Sequence, residues 1–285
     1  MRLISWNVAR AGAARIPHQV TALAASAPDI VALQEVRINR VAEYRLALRR
    51  AGFAHVADGF AGVSDDRGGK RASGVLIASR WRCAVCAEGR DRIGVPWPER
   101  LLSVAVASPW GMIELHTVYV PVSYGGRDRD VRIRTLERLY AGLARATHRH
   151  RILCGDFNLP QHETAAGEVI TFGQTRRANG AFAITNAAMH ASERNVLTGL
   201  AAFDLTDVYR ALHGYARQEF SWYHLASGNG FRLDHILASR SLGARDCRYL
   251  EDFRTPHPER YAGLGFDKLS DHAAMEVNFI PEGES

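Results

Sequence analysis

The stretch RILCGDFN, residues 151–158, decides how the chain is read. An apolar run that stops at Gly155-Asp156-Phe157-Asn158 predicts a strand that delivers a carboxylate and an amide at its C-terminal end. Asp156 and Asn158 are two apart, so on an extended segment they face the same way. Similar endings recur along the chain: LISWN (3–7) closes on Asn7, DIVALQE (29–35) on Gln34-Glu35, and MIELHTVY (112–119) on Tyr119. Two further runs carry their polar residues at the start. DHILAS (234–239) opens on Asp234, after Arg232-Leu233, and DHAAMEV (271–277) opens on Asp271-His272, after Ser270. If these two strands run antiparallel to the others, all of the polar ends reach one rim of a sheet. A carboxylate-rich, thiolate-free oxygen site suits Mg²⁺ or Mn²⁺, and a lone imidazole beside it suits phosphate ester chemistry.

At 285 residues and 47% hydrophobic, the chain is long enough to bury a large core as one domain, read here as 1–285. A net charge of +6 and a pI near 9.4 favour a polyanionic partner without demanding one. Arg2-Leu3-Ile4 enters a strand directly, with no apolar leader, and no run approaches a membrane span, which predicts a soluble protein, cytoplasmic or nucleoid-associated. Cys83 and Cys86 are spaced C-x-x-C, but WRCAVCAEGR reads as strand with no further zinc ligands nearby. With Cys154 and Cys247, they are expected to be reduced thiols.

Helices are predicted over 18–27, entered through Pro17, over 40–52, ended by Gly52, and over 129–146. Residues 74–79, 101–108 and 112–120 read as strands, with turns at Gly68-Gly69 and Pro109-Trp110-Gly111. Residues 161–200 are the least regular part, with an exposed turn expected at 176–180. Element order alone indicates an α/β or α+β class.

SWNV (5–8), LQEV (33–36), GDFN (155–158) and SDHAAMEV (270–277), in this order, resemble the endonuclease/exonuclease/phosphatase superfamily of Mg²⁺-dependent phosphodiesterases. The likeness runs from Met1 to about Phe279. GFRLDHILAS (230–239), preceded by FSWY (220–223), is similar to exonuclease III and its apurinic/apyrimidinic (AP) endonuclease relatives. The resemblance implies a four-layer α/β sandwich, two packed mixed β-sheets flanked by helices, with a pseudo-symmetry pairing residues 1 to about 146 with the remainder. It also implies Mg²⁺ (or Mn²⁺) as cofactor, and a monomer acting on double-stranded DNA that carries abasic sites or blocked 3′ ends.

Residue by residue, the resemblance makes Glu35 the first metal ligand, with Asp271 behind it and Asn7 in the same shell. Asp156 would orient or deprotonate the attacking water, and Asn158 would hydrogen-bond the phosphate. His272 would contact the scissile phosphate, with Asp234 fixing its tautomer, and Tyr119 would donate to the phosphate or the leaving oxygen. Trp222, Phe231 and Leu233 fall where such enzymes wall a pocket for a baseless sugar. Arg10, Lys70, Arg71, Arg127, Arg176 and Arg177 are candidates for the DNA backbone, while His116, His235, His148 and His150 are expected to be structural.

The chain departs from AP endonucleases at three places. Ala9-Arg10 stands where they carry Asn/Asp-Gly, Arg37 replaces a Lys, and Val122 replaces an amide. The expected function is a DNA phosphodiester hydrolase of base-excision repair, an AP endonuclease with 3′-exonuclease or 3′-phosphodiesterase activity. The alternatives are a non-specific DNase, a phosphodiesterase on another ester such as a lipid head group, and a DNA-binding module without catalysis.

Overall fold

Strands buried along most of their length require cover on both faces, and the chain supplies it with two sheets and two layers of helix. The computed structural model describes residues 1–63, 72–86, 92–122 and 125–280. From the N-terminus come β1 (Arg2–Asn7), α1 (Ile16–Ala25), β2 (Ile30–Arg37), α2 (Val41–Arg50), β3 (His55–Asp58), β4 (Ser73–Ser79), β5 (Cys83–Val85), β6 (Leu101–Ser108), β7 (Gly111–Tyr119) and α3 (Gly126–Leu143). Next are β8 (His150–Asp156), the short strands β9 (His162–Glu163), β10 (Val169–Ile170), β11 (Gln174–Arg176) and β12 (Phe182–Ile184), and α4 (Ala187–Leu197). The chain closes with β13 (Thr206–Asp207), α5 (Val208–His213), β14 (Trp222–Tyr223), β15 (Gly230–Phe231), β16 (Asp234–Ala238), β17 (Ala244–Leu250) and β18 (Ala274–Phe279).

One sheet has the order β17-β18-β1-β2-β4-β3, the other β13-β16-β8-β7-β6-β5. Read in that order, both show one pattern: only the middle pairing, β1 with β2 and β8 with β7, is parallel. The symmetry is one of pairing and does not divide the chain in space. The first sheet recruits β17 and β18 from the C-terminal half, and the second takes β5, β6 and β7 from the N-terminal half.

Alternation along each strand sorts side chains into three cores. Leu3, Ile30, Val75 and Ile77 meet Val104, Leu115, Ile152 and Ile236 between the sheets. Their neighbours Ile4, Val31 and Leu76 pack outward on Val20 and Leu23 of α1 and Tyr44 and Leu48 of α2. Leu153 and Leu237 pack outward on Leu136, Leu139 and Leu143 of α3 and Val196 of α4. These are the four layers that the resemblance implies.

Several local expectations are corrected. The long helix begins at Gly126, three residues before the predicted start, where Asp128 in the first turn suits the positive end of the helix. Residues 161–200 are regular in part: they hold β9 to β12 and α4, whose Asn186 side chain caps the Met189 N–H at 3.0 Å. Asp271 and His272 do not lie in a strand, because β18 starts only at Ala274. The turn at 176–180 is present, with the Gly180 N–H donating to the Arg177 carbonyl at 2.9 Å. Cys83 and Cys86 are free thiols; Gly68 and Gly69 lie outside the described residues. Among the described residues no helix is long and apolar enough to cross a membrane.

A buried ionic network supports the second sheet. Arg232, just before β16, forks onto Glu163 of β9 (Nε to Oε2, 2.7 Å) and Asp207 of β13 (Nη2 to Oδ2, 2.7 Å), and Arg210 of α5 also pairs with Glu163 at 2.7 Å. Burial alone would raise the Glu163 carboxyl, but the two guanidiniums outweigh it and hold it down at about 2; Asp207, beside Arg232 and His235, is depressed as well. A carboxyl lowered by folding contributes stability above its unfolded value, lost as the pH falls toward the folded value. Thermal stability should therefore decline from about pH 4.5 toward pH 2. Glu163→Gln should cost about 3 kcal/mol at neutral pH, as expected for breaking a buried pair, and its melting temperature should fall less steeply through that acid window. Equal slopes for variant and wild type would remove Glu163 from the acid response.

Candidate active site

Asp156 ends β8 level with Tyr119 of β7 and Asp234 of β16. The preceding Gly155 has φ +139°, and a Cβ there would lie 2.0 Å from the Val118 carbonyl oxygen, so the approach of β8 to β7 admits only glycine. Asp156 is 1% exposed. Its Oδ1 accepts the Asn158 N–H at 2.9 Å, and its Oδ2 accepts Asn7 Nδ2 at 2.9 Å and Asn158 Nδ2 at 3.2 Å. Asn7 belongs to the first sheet and Asp156 to the second. The polar strand ends thus gather on the shared rim of two sheets, where the sequence suggested one.

Both amides serve this carboxylate. Asn158 directs its two amide protons to Asp156 and to the Val120 carbonyl at 2.8 Å, which leaves none for the phosphate contact expected of it. Asn7 is fully buried: its Nδ2 holds Asp156 and its Oδ1 accepts the Ala9 N–H at 2.9 Å. The loop after β1 keeps a glycine-like shape without glycine, with Ala9 at φ +51° and Arg10 at φ +50°.

His272 reaches the rim from a loop pinned to the first sheet. Ser270 Oγ donates to the Asn7 carbonyl at 2.6 Å, and Trp6 Nε1 donates to the His272 carbonyl at 3.0 Å. The His272 ring meets Asp234 across the sheets, Nδ1 to Oδ2 at 2.8 Å. Burial disfavours the imidazolium, but the Asp234 carboxylate overcomes it and raises the His272 pKa. Burial, then the Asp234 charge, also raises Asp156. Asp271 accepts Trp222 Nε1 at 3.1 Å, and Trp222 stands 5.8 Å from Phe231, ring centre to ring centre.

Glu35 sits at an irregularity of β2, with φ +58° between the paired residues Leu33 and Val36, which turns its side chain toward the rim. Tyr119 hydrogen-bonds it, and the phenol pKa is raised first by burial and then by the Glu35 charge. Arg100, which sequence reading passed over, is 4% exposed and lies 4.1 Å over the Tyr119 ring and 4.6 Å over Trp97. Its charge acts on both Glu35 and Asp156. The available signal was a PER triplet directly before the strand LLSVAVAS.

These groups surround a cavity of about 690 Å³. Glu35, Asp156, Asn158, Asp271 and His272 line it, as do Trp222, Phe231 and Leu233. Asn7, Tyr119 and Asp234 stand behind this surface. Val122, Arg129, Arg132, Phe172 and Met189 complete much of the wall, and apart from Val122 none of these was singled out from the sequence. Arg10, Arg127, Arg176 and Arg177 are exposed and do not line the cavity, while Lys70 and Arg71 lie outside the described residues. His116 and His235 are buried away from it, bonded to Ser103 and to the Leu159 carbonyl.

Asp156, Asp234 and His272 can bring ligand atoms within 4.8 Å of one another. An imidazole hydrogen-bonded to Asp234 and raised in pKa is nevertheless a poor cation ligand. Glu35 and Asp271 fit better. They offer carboxylate oxygens to the cavity with no thiol beside them, the donor set of a hard divalent cation.

A family model described as the Endonuclease/Exonuclease/phosphatase family matches residues 4–272. No curated protein matches the chain. Among solved structures, an AP endonuclease from Archaeoglobus fulgidus is similar at TM-score 0.67 and 20% identity, over 98% of this chain and 99% of that one. The 3′ phosphatase NExo from Neisseria, bound to a product DNA hairpin, is similar at TM-score 0.68, 20% identity and the same coverage. A D. rerio TDP2 humanized by 14 mutations is similar at TM-score 0.61 and 18% identity, over 98% of both chains. At these identities the likeness is one of fold, and it is the match across residues 4–272, together with the two-sheet architecture and its shared polar rim, that shows the chain to belong to the endonuclease/exonuclease/phosphatase family.

Proposed function

We propose that the protein is a Mg²⁺-dependent DNA phosphodiesterase of base-excision repair, an AP endonuclease with 3′-exonuclease or 3′-phosphodiesterase activity. The observation that carries this reading is the His272–Asp234 pair beside Asp156, opening onto one cavity with Glu35, Asp271 and an apolar Trp222–Phe231–Leu233 wall. Two proteins of similar fold, an AP endonuclease and a 3′ phosphatase bound to DNA, agree with it.

Cleaving a phosphodiester requires an activated water, neutralised phosphate oxygens and a stabilised leaving group. Held by Glu35 and Asp271, Mg²⁺ would supply the positive charge that neutralises the phosphate. Asp156 is oriented by three N–H donors while burial and Asp234 oppose its ionisation, which suits a base that takes a proton from water. His272, kept protonated by Asp234, places positive charge on the cavity wall where the phosphate would sit. Asn7 and Asn158 act through Asp156 as positioning residues. Tyr119, behind the wall and bonded to Glu35, orients that carboxylate.

Chelation by EDTA should abolish cleavage, and Mg²⁺ or Mn²⁺ should restore it. Glu35→Ala should lose roughly two or more decades in rate, the scale of one electrostatic stabiliser. Full turnover in chelator would end the metal assignment. The rate losses of His272→Ala and Asp234→Ala should be strongly non-additive, the double variant being little slower than His272→Ala alone. Multiplying losses would mean that Asp234 acts elsewhere. For the sugar pocket the clean variant is Phe231→Ala, because Trp222 also holds Asp271. It should narrow the preference for an abasic analogue over intact nucleotides, with cleavage at the analogue holding or falling as incision of intact DNA rises. An equal fall on all substrates with a lowered melting temperature would make Phe231 core packing.

A further inference from the structure

Phe172 is a large apolar ring left 41% exposed, and it lines the same cavity as Asp156 and His272. Its position is fixed from several sides. The Phe172 N–H donates to Glu193 Oε2 at 2.9 Å, and the fully buried Glu193 pairs with Arg132 at 2.9 Å. The Arg132 guanidinium lies 5.2 Å from the Phe172 ring centre, and its Nη2 donates to the Asn158 carbonyl at 2.7 Å. The next residue, Gly173, is pressed against α4: a Cβ there would sit 2.4 Å from the His190 nitrogen and 2.6 Å from the Asn186 carbonyl oxygen. A continuous chain of contacts therefore runs from Asp156 through Asn158, Arg132 and Glu193 to Phe172.

An exposed ring adds little to folding, so a buried ion pair and a glycine contact that hold one in place call for another reason. The cavity offers one. About 690 Å³ lies well inside the range that takes a whole drug-sized ligand, more than a baseless sugar and its phosphate fill. One side of the Phe172 ring is met by a cation, which leaves an aromatic surface available in the cavity, the feature on which bases stack without regard to sequence. We propose that Phe172 is a stacking platform for an intact nucleobase of the DNA strand adjoining the scissile phosphate, with Arg132 as its positioning residue. The platform determines how the strand is held beside the reacting group. It rests on the reading of the site as a DNA phosphodiesterase.

The test uses the full chain and duplexes with one tetrahydrofuran abasic analogue. 2-Aminopurine is placed in turn at each nucleotide flanking the scissile phosphate, and binding is followed by fluorescence in EDTA, where no turnover occurs. One position should be quenched by wild-type protein. Phe172→Ala should lose that quench and bind roughly tenfold more weakly, whereas Phe172→Trp should retain both. When the base at that position is removed from the duplex, wild type and Phe172→Ala should bind alike. A Phe172→Ala protein that binds every duplex as wild type does, or weakens equally with and without the base, overturns the platform. So does a wild type that cleaves the abasic duplex in Mg²⁺ yet quenches no position. Quenching by a wild type that cleaves nothing would sink the proposed activity and leave the platform standing.

Discussion

Asp156 is a carboxylate almost cut off from water at the place where the rims of two sheets touch, and the remainder of the site depends on how that burial is tolerated. An unpaired ion there would be prohibitively costly. Three N–H donors, two from Asn158 and one from Asn7 across the intersheet gap, compensate in part. Asp234 stands level with it on the next strand and works against its ionisation, and the His272 ring, bonded to Asp234, adds a positive charge that favours both carboxylates. The chemistry proposed for the site and the join between its two sheets are thus one arrangement. Asn7 and His272, one from each end of the chain, meet β8 and β16 through their hydrogen bonds to Asp156 and Asp234.

Behind the rim, buried guanidiniums tie the strand ends that bear Asp156 and Asp234 to the irregular segments. Arg232 ties the strand that bears Asp234 to β9 and β13, and Arg132 ties the Asn158 carbonyl to α4 through Glu193. Such pairs add little net stability over apolar residues of the same shape. What they do is fix geometry, since a planar fork satisfied on several nitrogens has few alternative positions. The polar side of the cavity therefore rests on ions, and its apolar side, Trp222 and Phe231, on the short two-stranded hairpin of β14 and β15, anchored to Asp271.

Much of this was legible in the chain. Buried strands that end in Asn, Glu, Tyr or Asp can be recognised because a polar residue closing an apolar run must be either solvated or employed, and the order of SWN, LQE, GDFN and SDH carried the fold. The α/β class, the four layers, and the meeting of Glu35, Asp156, Asp271 and His272 at one cavity were all foreseeable. Local rules also placed α1 and α2 to within three residues at each end, because Pro17 and Gly52 act on their own neighbours.

Other features depend on contacts between residues far apart in sequence, which no local pattern encodes. That Asn158 turns its amide to Asp156 and Val120, and not outward, follows from the close approach of β7 to β8 permitted by Gly155. Arg100 reads as an ordinary surface cation until folding lays it over Tyr119 and Trp97. Phe172 reads as loop until Gly173 packs on α4 and Glu193 takes its N–H. The sequence by itself determined which groups the protein brings to its site, because residue type and strand-end position are local properties. Only the tertiary structure decided which of them face the cavity and which hold the others in place, because buried hydrogen bonds and charges are settled pairwise, across two sheets, after the chain has closed.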